Sequence, residues 1–400
     1  MRILLVTETL TVGGAETFVV RLANALAPTH SVTIAVLHGE MVNPALLDRI
    51  AGKVGIERLR LPVKRQLFRF DGLLRRLGID WSVIRAFQRR WLSVIVRRDV
   101  PDVLHSHLLK ADRVAAEVCA EHPVARHVLT LHGDYAPFMR GLADPQMLAL
   151  ERRMPAIVGK VDRIAAICSE HLEFVASHFP EAMAKSKLIY NGYAPWPMER
   201  AAVAMQDVAM LTFGLVSRGV EKKGWAKAIA AFATLRPGTA RLVLVGDGPA
   251  IDRLRGEPLP DGVEFVGFSA DPVEWINRFD IGLLPSEFPH ESLPTVVMEY
   301  LFCGKPVIAT DVGEIGAMIR TPIGQLAGQL LDFDGQSIST DQLAAAMQAY
   351  LDDPALREAH AARTAAAFAK FDMAACAAAY AALYAEVTGA ASNSLISANH

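Results

Sequence analysis

The chain has 400 residues, which is more than one hydrophobic core usually organises, so we expect two domains. Apolar residues make up 52% of it and the formal net charge is -2, a balance that suits a globular protein and argues against general nucleic-acid binding. Its four cysteines are widely spaced without a Cys-x-x-Cys pair, so the sequence predicts neither a zinc site nor a disulfide framework. A reducing cytoplasm is the expected compartment.

The first elements predicted are a strand, a helix and a second strand. Residues 3–6 form an apolar run of the kind found at the centre of a parallel sheet. A strand so close to the first residue leaves no room for a signal peptide, and no apolar run reaches the length of a transmembrane helix. A helix is predicted at about 15–26 and a strand at 31–37, which together complete a βαβ unit.

Gly13 and Gly14 stand in the loop that follows the first strand. Paired glycines permit a positive φ or a close backbone approach, and open α/β sheets bind ligands at the carboxyl ends of their strands. The pattern is not the Gly-x-Gly-x-x-Gly fingerprint of dinucleotide sites, so a nicotinamide cofactor is not indicated. We therefore predict that this loop lines a ligand site of another kind.

Residues 60–98 differ in character from the rest of the chain. Aromatic and aliphatic side chains alternate there with Lys and Arg, with few acids between them, so helical spacing gives each segment an apolar and a cationic face. Such segments can lie on an anionic membrane surface. Alternatively, the apolar face packs on the sheet as core and the basic face is solvated. The sequence leaves both interpretations open.

Histidines follow in the next two predicted strands. His105 and His107 fall on one face of a strand by the two-residue period. Metal ligation would need a third ligand, and none has suitable spacing, so no metal site is predicted. The buried strand at 128–131 ends at His132, which is either a ligand contact or a structural histidine.

The second half begins with a predicted linker at 193–207, rich in Pro, Ala and polar residues. A strand at 211–216 then leads into a loop that carries Arg218 and Lys223 and ends in a helix. Two fixed cations beside a helix N-terminus can neutralise a diphosphate without a metal ion. A solvated basic loop is the alternative.

An acidic stretch follows one of the later predicted strands and leads into a helix. After the strand at 281–285, Ser292 is the predicted N-cap of a helix that begins near Leu293, where free backbone N–H groups would form an anion site. Glu291 lies just outside this helix, and Glu299 about two turns inside, roughly 10 Å further along. A sugar joined through a diphosphate to a ribose would fit between them, although acids at helix ends are also common without a ligand.

Four motifs in order resemble those of the retaining glycosyltransferases of family 4, and they extend over nearly the whole chain. They are Gly13-Gly14, Arg218 with Lys223, Gly246-Asp-Gly248, and Glu291 with Glu299. One departure is Ser217, which replaces the usual glycine of the Gly-Arg-x-x-x-x-Lys-Gly motif.

The resemblance implies a retaining transfer of a sugar from a nucleotide-diphosphate sugar, UDP- or GDP-linked, to an acceptor hydroxyl, with no resident cofactor and no metal. It implies that Glu291 and His132 hold the donor sugar, Glu299 the ribose, and Arg218 and Lys223 the diphosphate. The catalytic set would be Glu291, His132, Arg218 and Lys223. The other donor-site positions that it implies are Gly13, Gly14, Gly246, Gly248, Phe268, Ser292 and Leu293.

The resemblance also implies the GT-B architecture, in which two Rossmann-like, doubly wound α/β domains face each other across a cleft. Residues 1–195 would form the acceptor-side domain and 208–371 the nucleotide-sugar domain. The helix at 372–388 would cross back to the first domain, and residues 389–400 would be a disordered tail.

The implied acceptor is a lipid-linked glycan or a growing polysaccharide in cell-surface glycan synthesis. Such a protein would work in the cytoplasm, at the inner face of the plasma membrane if residues 60–98 contact lipid. Two alternatives remain open at this point: an inactive scaffold that binds a sugar nucleotide, and a nucleotide-sugar epimerase of the same fold class.

Overall fold

Two parallel β-sheets organise the chain, which confirms the α/β fold class that the alternating strands and helices predict. In the computed structural model, residues 1–192 and the chain from Met373 onward form one unit, and Tyr193–Asp372 form the other. The structure describes every residue except 12, 62–63, 78, 80, 124, 133–153, 197–209, 290 and 390–400. Most of the predicted linker and nearly all of the predicted tail therefore lie outside the described residues.

The first sheet has seven strands. They are β1 Arg2–Thr7, β2 Ser31–Val36, β3 Gly55–Arg58, β4 Val103–His107, β5 Arg126–Leu131, β6 Arg163–Ala166 and β7 Ser186–Leu188. Their spatial order is β3-β2-β1-β4-β5-β6-β7, and every neighbouring pair is parallel. The order reverses between β1 and β4, and open α/β sheets bind ligands at such a switch point. Gly13 follows β1 and His107 ends β4, so both lie at this position.

Helices cover the first sheet. Those from the first part of the chain are α1 Gly14–Leu26, α2 Pro44–Leu47, α3 Lys64–Arg76, α4 Val83–Asp99, α5 Leu109–Glu121, α6 Met154–Lys160 and α7 Ser169–His178, and Pro180–Lys185 forms a 3-10 helix. On one face, Leu4 and Leu104 pack with Leu92 of α4 and Val114 of α5 in a single apolar cluster. This burial is the main favourable term that holds the helices on the sheet.

The second sheet has six parallel strands, which are β8 Leu211–Val216, β9 Ala240–Val245, β10 Val263–Gly267, β11 Ile281–Leu284, β12 Val307–Thr310 and β13 Gly328–Leu331. Their order is β10-β9-β8-β11-β12-β13, so the switch point lies between β8 and β11. Its helices are α8 Trp225–Phe232, α9 Pro249–Leu254, α10 Pro272–Ile276, α11 Thr295–Phe302, α12 Ile315–Met318, α13 Thr340–Asp352 and α14 Pro354–Phe368, and two 3-10 helices span Glu221–Lys223 and Ala369–Phe371.

The last helix, α15 Met373–Thr388, belongs to the first unit. Its buried tyrosines bond to the first sheet: the Tyr384 hydroxyl lies 2.7 Å from Nδ1 of His105, and the Tyr380 hydroxyl lies 2.9 Å from Oγ1 of Thr130. A Cβ on Gly192 would lie 2.8 Å from Cα of Met373, so only glycine permits this close approach.

The helix predicted to begin near Leu293 begins two residues later. Helix α11 starts at Thr295, and Pro294, with φ of -64° and ψ of 115°, is its N-cap residue. The prediction was wrong because a proline disfavours helical backbone in the residue before it, so Leu293 cannot open the helix. Ser292 is therefore not the cap, and Glu299 is the fifth residue of the helix, about one turn inside.

The two helices within 60–98 differ from each other. Helix α4 buries Ile84, Leu92, Ile95 and Val96, so for α4 the core interpretation is correct. Helix α3, by contrast, leaves most of its large apolar side chains exposed. Among the described residues, no helix is long and apolar enough to cross a membrane.

Candidate functional site

An ion pair joins two of the predicted site residues at the switch point of the second sheet. Nζ of Lys223, on the loop after β8, donates to Oε1 of Glu291, on the loop after β11. The Ser286 hydroxyl donates to the same oxygen at 2.6 Å. The Lys223 and Glu291 side chains are only 14% and 9% exposed, so the pair is shielded from bulk water. Charge interactions in such a setting are stronger than on an open surface.

The backbone around this pair is fixed by glycines. Gly224 has a φ of 74°, and a Cβ there would lie 2.0 Å from the carbonyl oxygen of Pro285. Gly313 has a φ of 53°, and a Cβ there would lie 2.3 Å from the carbonyl oxygen of Glu291. The amide of Glu314 donates to that same oxygen at 3.0 Å. The loops after β8, β11 and β12 thus meet around Glu291.

Arg218 lies on the same loop as Lys223, and its side chain is exposed. Its backbone is held, because the indole N–H of Trp225 donates to the Arg218 carbonyl at 3.0 Å, and Trp225 is buried. The guanidinium forms no ion pair with any residue that the structure describes. It is therefore a positioned cation that an anionic ligand can engage.

Gly246 and Gly248 form the turn after β9 and have φ values of 147° and 137°. A Cβ on Gly246 would lie 2.0 Å from the carbonyl oxygen of Ser217, and one on Gly248 would lie 2.7 Å from that of Gly219. These glycines therefore let the turn pack against the loop that carries Arg218. Phe268, directly after β10, is 64% exposed, so its ring is free to stack on a planar ligand.

Glu299 is positioned by its neighbour Tyr300, which fastens α11 to the sheet. The buried Tyr300 hydroxyl accepts from the amide of Val216 at 3.0 Å and lies 3.2 Å from the carbonyl oxygens of Gly214 and Leu283. Burial raises the pKa of this phenol far above its ordinary value, so it stays a neutral hydrogen-bonding group. Glu299, the residue directly before Tyr300 on this helix, is half-buried.

In the first unit, Gly13 is the N-cap of α1 and Gly14 is its first residue. Gly13 is extended, with φ of -152°, so its backbone does not require glycine. A Cβ on Gly13 would lie 2.4 Å from Oε2 of Glu16. The Glu16 carboxylate in turn accepts from the hydroxyls of Thr9 at 2.9 Å and Thr11 at 3.0 Å, which orders the loop after β1.

His132 is buried and bonded to a second histidine, since its Nε2 lies 3.0 Å from Nδ1 of His107. The rings of His105 and His107 are 4.1 Å apart, which confirms that they share a face of β4. Burial, reinforced by the neighbouring histidines, holds the pKa of all three well below the ordinary histidine value. Among the described residues, no group of three or more His, Cys, Asp or Glu side chains is arranged to hold a metal ion.

Sequence reasoning missed several residues that support the predicted ones. Ser286 binds Glu291, Tyr300 anchors α11, and Glu16 orders the loop at Gly13. Ser286 stands in the strand-to-helix stretch beside Glu291, which was the available signal for it. Tyr300 resembled an ordinary core residue of an apolar helix, so no pattern marked its bonds.

Two family models match the chain. The model described as Glycosyltransferase Family 4 matches residues 12–195, and the model described as Glycosyl transferases group 1 matches residues 210–353. Among curated proteins, glycogen synthase of Mycobacterium tuberculosis is 26% identical over 91% of this chain and 89% of its own length. The lipopolysaccharide core biosynthesis glycosyltransferase LpsD of Rhizobium meliloti is 28% identical over 87% of this chain and 88% of its own length.

Solved structures share the fold over nearly the full length. HepE from Anabaena, solved with UDP, matches with a TM-score of 0.73 at 20% identity, over 96% of this chain and 100% of that one. Sucrose-phosphate synthase from Thermosynechococcus elongatus matches with a TM-score of 0.74 at 19% identity, over 98% of this chain and 100% of that one. At these identities the likeness establishes the architecture alone.

Proposed function

The chain belongs to the family 4 glycosyltransferases of GT-B fold, and we propose that it moves a sugar from a nucleotide-diphosphate sugar to an acceptor hydroxyl with retention of anomeric configuration. The observation that carries this proposal is the shielded pair of Lys223 and Glu291 at the switch point of the second sheet. An exposed Arg218 on the same loop supplies a second cation. The site thus offers positive charge for a diphosphate and a carboxylate for sugar hydroxyls.

Departure of the diphosphate is the step that needs most help, because negative charge builds on it as the sugar becomes oxocarbenium-like. Arg218 and Lys223 would stabilise that charge, and fixed donors of this kind each contribute a few kcal/mol. When the donor binds, the Lys223 ammonium would be shared between the Glu291 carboxylate and a phosphate oxygen. Glu291 would then accept hydrogen bonds from the sugar.

Retention would follow from attack on the face that the diphosphate leaves. The bond from the anomeric carbon to the phosphate oxygen breaks, the acceptor oxygen bonds to that carbon, and the departing phosphate oxygen takes the acceptor proton. Glu291 is already bonded to Lys223 and Ser286, which suits a binding role better than that of a nucleophile. We assign the ribose hydroxyls to Glu299 and a sugar hydroxyl to His132.

The acceptor is proposed to be a cell-surface glycan. Relatives carry such names: LpsD acts in lipopolysaccharide core biosynthesis, and TuaC of Bacillus subtilis is a putative teichuronic acid biosynthesis glycosyltransferase. A uridine nucleotide is the first donor to try, because HepE structures contain UDP and UDP-glucose. The two proposals are separable, since donor binding can be measured without an acceptor.

The test is a transfer assay with a panel of UDP-, GDP- and ADP-sugars on short oligosaccharide acceptors, with product stereochemistry read by proton NMR. Lys223→Met should abolish transfer, whereas its exposed neighbour Lys222→Met should retain it. An inverted anomer in the first-formed product would overturn the retaining mechanism. Full activity in Lys223→Met would remove the proposed diphosphate site.

A further inference from the structure

The surface of α3 and the segment after it is unusually apolar. Among the described residues, seven large apolar side chains that are 40–65% exposed lie within twenty positions, namely Phe68, Phe70, Leu73, Leu77, Ile79, Trp81 and Phe87. Exposed apolar side chains are ordinary when scattered singly, but this many within one short stretch of chain points to a surface that binds something.

Helical spacing collects three of them into one stripe. Phe70, Leu73 and Leu77 stand at positions i, i+3 and i+7, and the amide of Leu77 donates to the carbonyl of Leu73 at 3.1 Å, so the helical path continues to it. Their side chains are 47%, 51% and 65% exposed. The apolar stripe, as we call these three residues, therefore faces water and not the sheet.

The orientation of α3 is fixed from the opposite side. Asp71 is buried, and its carboxylate accepts from the Ser82 hydroxyl at 2.5 Å and from the Val83 amide at 2.8 Å. These bonds cap α4 and hold the Asp71 face of α3 inward. The apolar stripe cannot turn toward the core without breaking them.

Cations line the edge of the apolar stripe. Arg65, Arg69 and Arg76 are exposed and fall beside the stripe at helical spacing. None of the three forms an ion pair with any residue that the structure describes. On α4, by contrast, Arg85 and Arg89 are paired with acids of α5. Helix α3 thus presents three exposed guanidinium groups beside its exposed apolar side chains.

We propose that α3 lies flat on an anionic lipid bilayer, with the apolar stripe in the interface and Arg65, Arg69 and Arg76 against lipid phosphates. The charge of the α3 surface favours an anionic bilayer over a second copy of the chain as its partner. Helix α3 holds five Lys and Arg and one Asp, which is buried, so two copies of this surface would repel each other. An anionic surface attracts it, and Trp81, 52% exposed, belongs to the residue type enriched at membrane interfaces.

The test uses the full chain in flotation with vesicles of phosphatidylcholine alone and with about one third phosphatidylglycerol. We expect binding to the anionic vesicles only, weakened by salt because charge attraction is screened. Replacing Arg65, Arg69 and Arg76 by Gln should weaken binding about a hundredfold, since each basic residue near the surface contributes about fivefold. Replacing Phe70, Leu73 and Leu77 by Ser should abolish it.

Matched controls lie on the second unit. Ile323→Ser changes a side chain that is 80% exposed, and Arg236→Gln with Arg241→Gln removes exposed charge elsewhere. Both should bind vesicles as the unaltered protein does. All variants should keep the same thermal unfolding midpoint and the same stabilisation by nucleotide, which separates this proposal from the proposed donor site.

Three results would overturn the proposal. They are absence of binding to anionic vesicles, equal binding to neutral ones, and unchanged binding by the Ser variant. A concentration-dependent dimer in sedimentation velocity that the Ser variant loses would assign the surface to a second copy of the chain instead.

Discussion

Lys223 and Glu291 are 68 residues apart in sequence, and the Lys223 ammonium donates to the Glu291 carboxylate where the loops after β8 and β11 meet. The ion pair holds the two loops together, and it places a cation where a donor diphosphate would bind. Because removal of one partner leaves the other shielded and without its opposite charge, the pair has consequences for both stability and catalysis.

The first prediction is a coupling between these two residues. Lys223→Met and Glu291→Gln should each lower the free energy of unfolding by about 1–3 kcal/mol, since each leaves a shielded group without its partner. The double variant should lose less than the sum of the two, because the favourable interaction between them can be lost only once. Urea denaturation of the unaltered protein, the two single variants and the double variant measures this coupling. Strict additivity would mean that the ion pair does not form in solution.

The second prediction concerns the anchor of α11. Tyr300→Phe removes the hydroxyl that accepts from the Val216 amide and leaves that partly buried amide without its bond. We expect a loss of about 1–3 kcal/mol in the free energy of unfolding and weaker nucleotide binding, because Glu299 is the preceding residue on the helix. Ile323→Ser, which alters a side chain that is 80% exposed on the same unit, is the control. Unchanged stability in Tyr300→Phe would show that the hydroxyl does not anchor the helix.

The third prediction is a pH dependence that arises from a buried carboxyl. Burial raises the pKa of Asp112 from 3.8 to about 8, although the Ser106 hydroxyl, 2.7 Å away, opposes the shift. Between these values the folded chain keeps a proton that the unfolded chain releases, so the free energy of unfolding falls as pH rises from about 4 to about 8.

Asp112→Asn removes that dependence. Its stability relative to the unaltered protein should rise by at least about 1 kcal/mol over the same pH range, with little difference below pH 4, where the carboxyl is neutral in both states. Urea denaturation at a series of pH values provides the comparison. A difference that stays constant with pH would show that Asp112 is ionised in the folded protein.

The fourth prediction tests whether His107 positions His132 for transfer without affecting nucleotide binding. His107→Phe removes the group bonded to Nε2 of His132, and misplacing a contact to the sugar should slow transfer by about ten- to a hundredfold. Affinity for the nucleoside diphosphate should not change, because the side chains proposed to bind its diphosphate and ribose, Arg218, Lys223 and Glu299, lie in the second unit. His107→Gln, which keeps a hydrogen-bonding group, should recover part of the rate. Loss of nucleotide affinity in His107→Phe would point to general structural damage.

Local patterns were enough to predict the strands and the order of motifs. Apolar runs such as residues 3–6 and 281–284 identify central strands of a parallel sheet directly, because both faces of such strands are buried. The place where α11 begins was mispredicted although Pro294 was visible. The restriction that proline places on Leu293 outweighed the capping preference of Ser292.

Contacts between distant residues could not be read from the sequence. Nothing local indicates that Ser286 and Lys223 share Glu291, or that His107 bonds to His132, because these depend on how strands are ordered in the sheet. The same holds for the amphipathic helices. Helices α3 and α4 have similar patterns, and only the structure shows, through the exposure of the stripe and the bonds of Asp71, that the stripe of α3 faces outward.

The central claim is a donor diphosphate site built around Lys223, and ligand-induced thermal stabilisation tests it most directly. The unaltered protein, Lys223→Met and Lys222→Met would be heated with UDP, GDP, ADP, CMP or dTDP in EDTA. A ligand at a hundred times its dissociation constant adds about 2.7 kcal/mol to the free energy of unfolding, which a melting curve resolves. We expect stabilisation by one nucleoside diphosphate, lost in Lys223→Met and kept in Lys222→Met. No stabilisation by any of them in well-folded protein, or equal stabilisation of Lys223→Met, would contradict it.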